Sequence, residues 1–161
     1  MPEQLQPLEA GAADLDFSAT LRRVAAEVLE TMFFDEAVAA PCDHGWISSA
    51  ASVRLTFAGS HCGEFLLSVS PEVGRSIAPA FLGIEPEEVT AGESSQVLLE
   101  LANILCGSVV SQLWPDSDLM LEAPELIQVE GPIEDALHEC FLLPEGMLAV
   151  SIGMCIGTGG V

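Results

Sequence analysis

Between Gln96 and Trp114 the chain runs QVLLELANILCGSVVSQLW, without proline and with its apolar residues at helical spacing. Such a stretch dictates one long amphipathic helix, and its wide apolar side must be buried against a sheet or other helices. At ~100° per residue, Leu98, Leu101, Ala102, Leu105, Val109 and Leu113 share one side. Gln96, Glu100, Asn103, Gly107 and Ser111 fall on the other, within an arc of roughly 80°. That second stripe is narrow, polar and mostly short. Gly107 in its middle costs about 1 kcal/mol against alanine, which points to another surface approaching closely there.

The remaining sequence supplies the layers. Ser18 is the expected N-cap of a first helix reaching about Val38, with Leu21, Val24, Ala25, Val28, Leu29 and Met32 at core spacing. Trp46 to Phe57 reads as a strand, Ala58 to His61 as a turn, and Gly63 to Ser70 as the returning strand. Pro71 opens a short helix to about Leu82, with Gly83 as its C-cap. Ser94 or Ser95 is the expected cap of the long helix. After Trp114-Pro115-Asp116 come strands at Leu119–Leu121, Leu126–Val129, Leu137–Leu143 and Met147–Ile156, with Pro144-Glu145-Gly146 as a hairpin turn. Residues 1–16 read as a flexible acidic leader, 17–156 as a single domain and 157–161 as a flexible tail.

The two halves resemble each other. Aligning Glu27 on Glu100 matches AAEVLETMFF to LLELANILCG, and GEFLLSVS matches GMLAVSIG in the hairpins. A doubled helix-plus-hairpin unit predicts an α+β domain of two layers: two long helices on one face of a mostly antiparallel sheet, with a pseudo-two-fold internal repeat.

Charge and cysteine usage narrow the function. The chain has 25 acidic residues, four Arg and no Lys, a formal net charge of −21. This disfavours nucleic acid and anionic membranes as partners, since phosphate contacts need clustered Lys or Arg. The charge serves either solubility, or a salty habitat, or steering toward a basic or metal-bearing partner. No apolar run approaches the ~20 residues of a membrane span, and no signal peptide is read at the N-terminus; a cytoplasmic location is expected. The five cysteines show no CxxC spacing, so reduced, mostly buried thiols are expected, with Cys106 in the core. His44, His61 and His138 are scattered, which leaves no zinc site. Trp46 and Trp114 read as packing residues, and His61 and His138 as surface residues at strand edges or turns.

The doubling offers an internal comparison. Arg23, Glu27, Glu30, Phe34 and Val38 of the first helix correspond to Gln96, Glu100, Asn103, Gly107 and Ser111 of the second. The first stripe is bulky, and Arg23 is placed to pair with Glu27 one turn on. The second is open. An asparagine has no useful pKa and cannot be a general base, but it can hold a water by two hydrogen bonds and orient it. A glutamate one turn away can accept from a partner's Lys or Arg. An acid and an amide three residues apart are common on solvated helix faces, and without a nucleophile or metal ligands they act only if a partner supplies the electrophile and the metal.

These residues carry a family resemblance. Glu100 to Gly107 (ELANILCG), Val24 to Met32 (VAAEVLETM) and the order of elements resemble the CheX branch of the chemotaxis phosphatases that also include CheC and FliY. The similarity spans roughly residues 16–156. It implies an enzyme that hydrolyses the phospho-aspartate of a CheY-like response regulator. Glu100 would dock on the regulator's lysine and Asn103 would orient the attacking water. Gln96, Gly107 and Ser111 would complete the docking face. The chain itself would bind no cofactor, the Mg²⁺ being the receiver domain's. The resemblance also implies a homodimer and one active helix per chain. Family members often carry Asn after the glycine, where this chain has Ser108. The alternative function is a non-catalytic binding or adaptor module of a two-component or chemotaxis pathway.

Overall fold

The computed structural model describes residues 7–33, 36–42, 50–129 and 136–155, with side chains from residue 17 to 32 in the first segment. Helix α1 spans Pro7–Phe33, so the start expected at Ser18 lies inside a continuous helix, and residues 7–16 of the expected leader are helical. The helix also ends before Val38, which lies in strand β1 (Val38–Ala40). Strands β2 (Ala51–Gly59) and β3 (Gly63–Val69) form the first hairpin. The first residues of that predicted strand, Trp46 among them, lie outside the described residues, as do His44 before it, Ile156 and the expected tail 157–161.

Helix α2 (Pro71–Leu82) begins and ends as the sequence dictates. Ser70 caps it through the Val73 N–H, Pro71 opens it, and Gly83 closes it in the left-handed conformation (φ 69°). Helix α3 covers Ala91–Leu113. Its cap is Thr90 rather than Ser94 or Ser95: the Thr90 hydroxyl accepts from Glu93 N–H (3.1 Å), and the Glu93 carboxylate accepts from Thr90 N–H (3.0 Å). Strands β4 (Leu119–Leu121), β5 (Glu125–Ile127), β6 (Leu137–Leu143) and β7 (Gly146–Met154) follow.

Among the described residues the sheet is antiparallel, in the order β1-β6-β7-β3-β2-β4, with β5 also on β2. The pseudo-two-fold repeat is visible in its register. The sequence match of GEFLLSVS to GMLAVSIG sets Leu67 on Val150, and these two residues face each other within the β3–β7 pair. A two-fold axis through that pair also relates Phe65↔Ile152 to Val69↔Leu148, both of which occur. The halves are exchanged at the edges: β1 pairs with the second hairpin and β4 with the first. The helices are exchanged likewise, α1 packing over β6 and α3 over β2.

The core lies between the helices and one face of the sheet. Leu21, Val24, Ala25 and Leu29 of α1, and Leu98, Leu101, Leu105 and Val109 of α3, meet Phe57, Phe65, Leu67, Phe141 and Val150. By length and composition α3 could cross a membrane, contrary to the expectation that no apolar run approaches that size. Here its apolar side is spent on the core. One charge also enters the inner face. Glu139 of β6 takes hydrogen bonds from Ser18 Oγ (2.6 Å) and Arg22 Nε (3.0 Å), which satisfies the carboxylate and ties α1 over β6.

The cysteines depart from expectation. Cys42 is bonded to Cys140 and Cys62 to Cys155, with Cα–Cα distances of 5.3 and 5.4 Å. Four of the five thiols are therefore not free. The sheet order brings together residues 98 and 93 positions apart, which local spacing could not reveal. Cys106 is free and buried, as expected.

Candidate functional site

Helix α3 presents its polar stripe away from the core. Gln96, Glu100, Asn103 and Ser111 are exposed and Gly107 is half-buried. Asn103, Gly107 and Ser111 line an open groove of ≈ 590 Å³ between α1 and α3, together with Ser108 and Gln112 of α3 and Val24, Glu27 and Val28 of α1. Glu100 and Gln96 lie on the same face toward the N-terminus of α3, beyond the residues that line the groove. Ser108 and Gln112 lie outside the polar arc, and the helical period alone does not indicate which neighbouring helix forms the opposite wall.

Among the described residues, Glu100 and Asn103 make no hydrogen bond or ion pair. The corresponding stripe of α1 is occupied with itself. Arg23 lies 3.7 Å from Glu27 and also donates across the groove to Gln112 Oε1 (3.5 Å). The Glu30 carboxylate accepts from the Ala37 N–H (3.4 Å). Phe34 lies outside the described residues, and Val38 sits in β1. One face of a near-symmetric pair is tied down, and the other is free to engage a visitor.

Gly107 has no internal reason to be glycine. Among the described residues a Cβ there would meet only Leu121 Cδ2, at an ordinary 3.9 Å. Beside it a second cleft of ≈ 150 Å³ is lined by Gly107, Val110, Ser111, Trp114, Pro115, Ser117, Leu119 and Leu121. Trp114 forms its aromatic wall, held by Phe17 (5.7 Å, edge to face), Phe57 (5.8 Å) and a stacked His61 (4.4 Å, 16°). The expected packing role of Trp114 is thus seen, and His61 is its partner and half-buried rather than merely a surface residue. Cys106, next to Gly107 in sequence but turned into the core, has its thiol pushed up to about 12 by burial. It is neutral and has no nucleophilic role.

The chemistry open to this face follows. No group of metal-ligating side chains occurs among the described residues. The amide of Asn103 can donate and accept at once, and so hold a water. The Glu100 carboxylate can only accept, so it suits a cationic donor on a partner. The arrangement can complete an active site that another molecule brings.

Comparison with known proteins agrees with the fold. The family described as "Chemotaxis phosphatase CheX" matches residues 51–144. A search of curated proteins finds no match. Among solved structures, the chain is similar to a CheC-like chemotactic protein of Shewanella oneidensis at 13% identity, covering 88% of this chain and 99% of that one, with a TM-score of 0.69. It is similar to CheX of Vibrio vulnificus at 17% identity, covering 86% and 96%, with a TM-score of 0.68. It is also similar to a chain in the CheX–CheY–BeF3–Mg complex of Borrelia burgdorferi at 21% identity, covering 86% and 97%, with a TM-score of 0.67. With more than half its length matched by the family and the same fold throughout, the chain belongs to the CheX chemotaxis phosphatase family.

Proposed function

We propose that this protein accelerates hydrolysis of the phospho-aspartate of a CheY-like receiver domain. Glu100 docks on the receiver's active-site lysine. Asn103, one turn on, orients the water that attacks phosphorus. The Mg²⁺ is the receiver's own. Gln96, Gly107 and Ser111 extend the docking face along α3. A cytoplasmic location and a homodimer belong to the same reading.

One observation carries it: among the described residues the Glu100 and Asn103 side chains are exposed and unpartnered beside an open groove, while Arg23, Glu27 and Glu30 of the matching stripe on α1 are paired. Family membership and the fold shared with a CheX protein bound to CheY supply the class of partner. The overall charge of −21 would speed encounter with a basic receiver face.

The test is direct. The protein is incubated with a phosphorylated receiver from the same organism and Mg²⁺, and phosphate loss is followed. Asn103→Ala removes the acceleration while unfolding stability stays within about 0.5 kcal/mol, as for other exposed substitutions. An unchanged rate in this variant would sink the mechanism. No acceleration by the native protein with its cognate receiver would favour the adaptor function.

A further inference from the structure

The two disulfides are not equivalent. Cys140 is 1% exposed, so the bond to its half-buried partner Cys42 has one sulfur-bearing residue wholly shielded. The other bond joins Cys62, half-buried, to Cys155, which is exposed. These two residues extend the β3–β7 register by one step past Gly63↔Met154, and Cys155 N–H donates to Cys62 O at 2.9 Å. The bond therefore clasps the β3–β7 pair at its open end, within reach of an external thiol. Thiol–disulfide exchange depends on such access. The fifth cysteine cannot take part: Cys106 is wholly buried and protonated.

The clasp also adjoins the candidate site. Cys62 directly follows His61, whose ring stacks on Trp114 at 4.4 Å, and Trp114 walls the cleft that contains Gly107 and Ser111. Cys62 is the chain neighbour of His61, so the disulfide and the His61–Trp114 stack are anchored on consecutive residues. We propose that Cys62 and Cys155 form a reversible thiol–disulfide site, closed in this structure, whose opening releases His61 from Trp114 and reshapes the cleft beside Gly107. A dithiol is the co-reactant. Its thiolate attacks the exposed Cys155 Sγ, the Cys62–Cys155 bond breaks, and Cys62 leaves as a thiolate that takes up a proton. The second thiol of the reductant then displaces Cys155 and leaves as a cyclic disulfide, so two electrons pass to the cysteine pair. That this would tune receiver engagement rests on the function proposed above; the opening and its effect on Trp114 do not.

The experiment uses the full chain carrying Trp46→Phe, so that Trp114 alone reports. Dithiothreitol is titrated under native conditions, with alkylation and mass mapping of each cysteine and Trp114 emission read in parallel. Cys62 and Cys155 become alkylated before Cys42 and Cys140, the emission shifts in step, and reoxidation restores it. The Cys62→Ser/Cys155→Ser variant shows the shifted emission without reductant, whereas Cys42→Ser/Cys140→Ser keeps the native emission and still responds. Alkylation of Cys62 and Cys155 before any reductant is added would overturn the proposal. So would an emission unchanged while both thiols are demonstrably released. Receiver dephosphorylation measured on the same samples separates the two readings: its absence in both redox states counts against the phosphatase, and an emission that ignores reduction counts against the clasp.

Discussion

Replacing Gly107 by alanine is predicted to stabilise the protein and weaken its function. In a helix interior glycine costs about 0.8–1.0 kcal/mol against alanine. That gain is realised only if the added methyl fits, and among the described residues it would meet Leu121 Cδ2 at 3.9 Å, an ordinary contact. Unfolding in urea should therefore show ~1 kcal/mol of added stability, or a rise in Tm of roughly 2–4 °C for a chain of this size. If a receiver packs closely on this stripe, the methyl has nowhere to go when the two are docked. Overpacking costs typically 1–3 kcal/mol, so kcat/KM toward phospho-receiver should fall about 5- to 150-fold. The loss should appear mainly in KM when docking alone is hindered. The opposite signs make the test sharp. A destabilised variant would show that the helix is not open at this point. A stabilised variant with native kinetics would show that the glycine does not serve a docked partner.

Other outcomes follow from the same contacts. Glu100→Gln keeps the shape but removes the charge offered to a partner's lysine, and it should raise KM and flatten the salt dependence of association without changing stability. Arg22→Ala leaves Glu139 with less of its hydrogen bonding at an 11% exposed site, and should cost about 1–3 kcal/mol in urea unfolding, against a few tenths for Arg23→Ala at the exposed Arg23–Glu27 pair. Burial pushes the Cys106 thiol from 9.0 up to about 12, so the folded state holds a proton that the unfolded state gives up. The stability this contributes is intact below about 9 and is lost as pH rises from there toward about 12, a decline that Cys106→Ala should remove. At neutral pH the same thiol should resist iodoacetamide until the chain unfolds.

Much of this fold is legible in sequence because its elements carry local signals. Pro71 and Gly83 bracket α2, and the Pro144-Glu145 turn sets the second hairpin. The apolar arc of α3 predicts its buried residues closely, since a 3.6-residue period leaves little freedom over so many turns. The missed N-cap had a signal of its own: Thr90-Ala91-Gly92-Glu93 is a capping box. Glu139 was less accessible, because an acid in an apolar strand reads as a solvent-facing position until Ser18 and Arg22 arrive from a distant helix. The exposed polar stripe of α3 was legible, whereas the groove wall from α1 and the Trp114 cleft depend on tertiary packing.

The cysteine pairing shows how far the repeat alone could have gone. If GEFLLSVS and GMLAVSIG are related by a two-fold axis and the equivalent strands are neighbours, the axis must pass through one aligned pair. The structure sets it at Leu67 and Val150. Cys62 precedes the first by as many residues as Cys155 follows the second, so the symmetry itself places the two thiols opposite each other. The same symmetry should have made the helix faces equivalent, and there the sequence breaks it. Arg23 with Glu27, and Glu30 with the Ala37 amide, close one stripe; Gly107 and the unpaired Asn103 leave the other open. The backbone repeats and the side chains do not. On the proposed function, activity confined to one helix is set by a handful of residues on a scaffold with room for two, and those residues are where substitutions should alter activity without disturbing the fold.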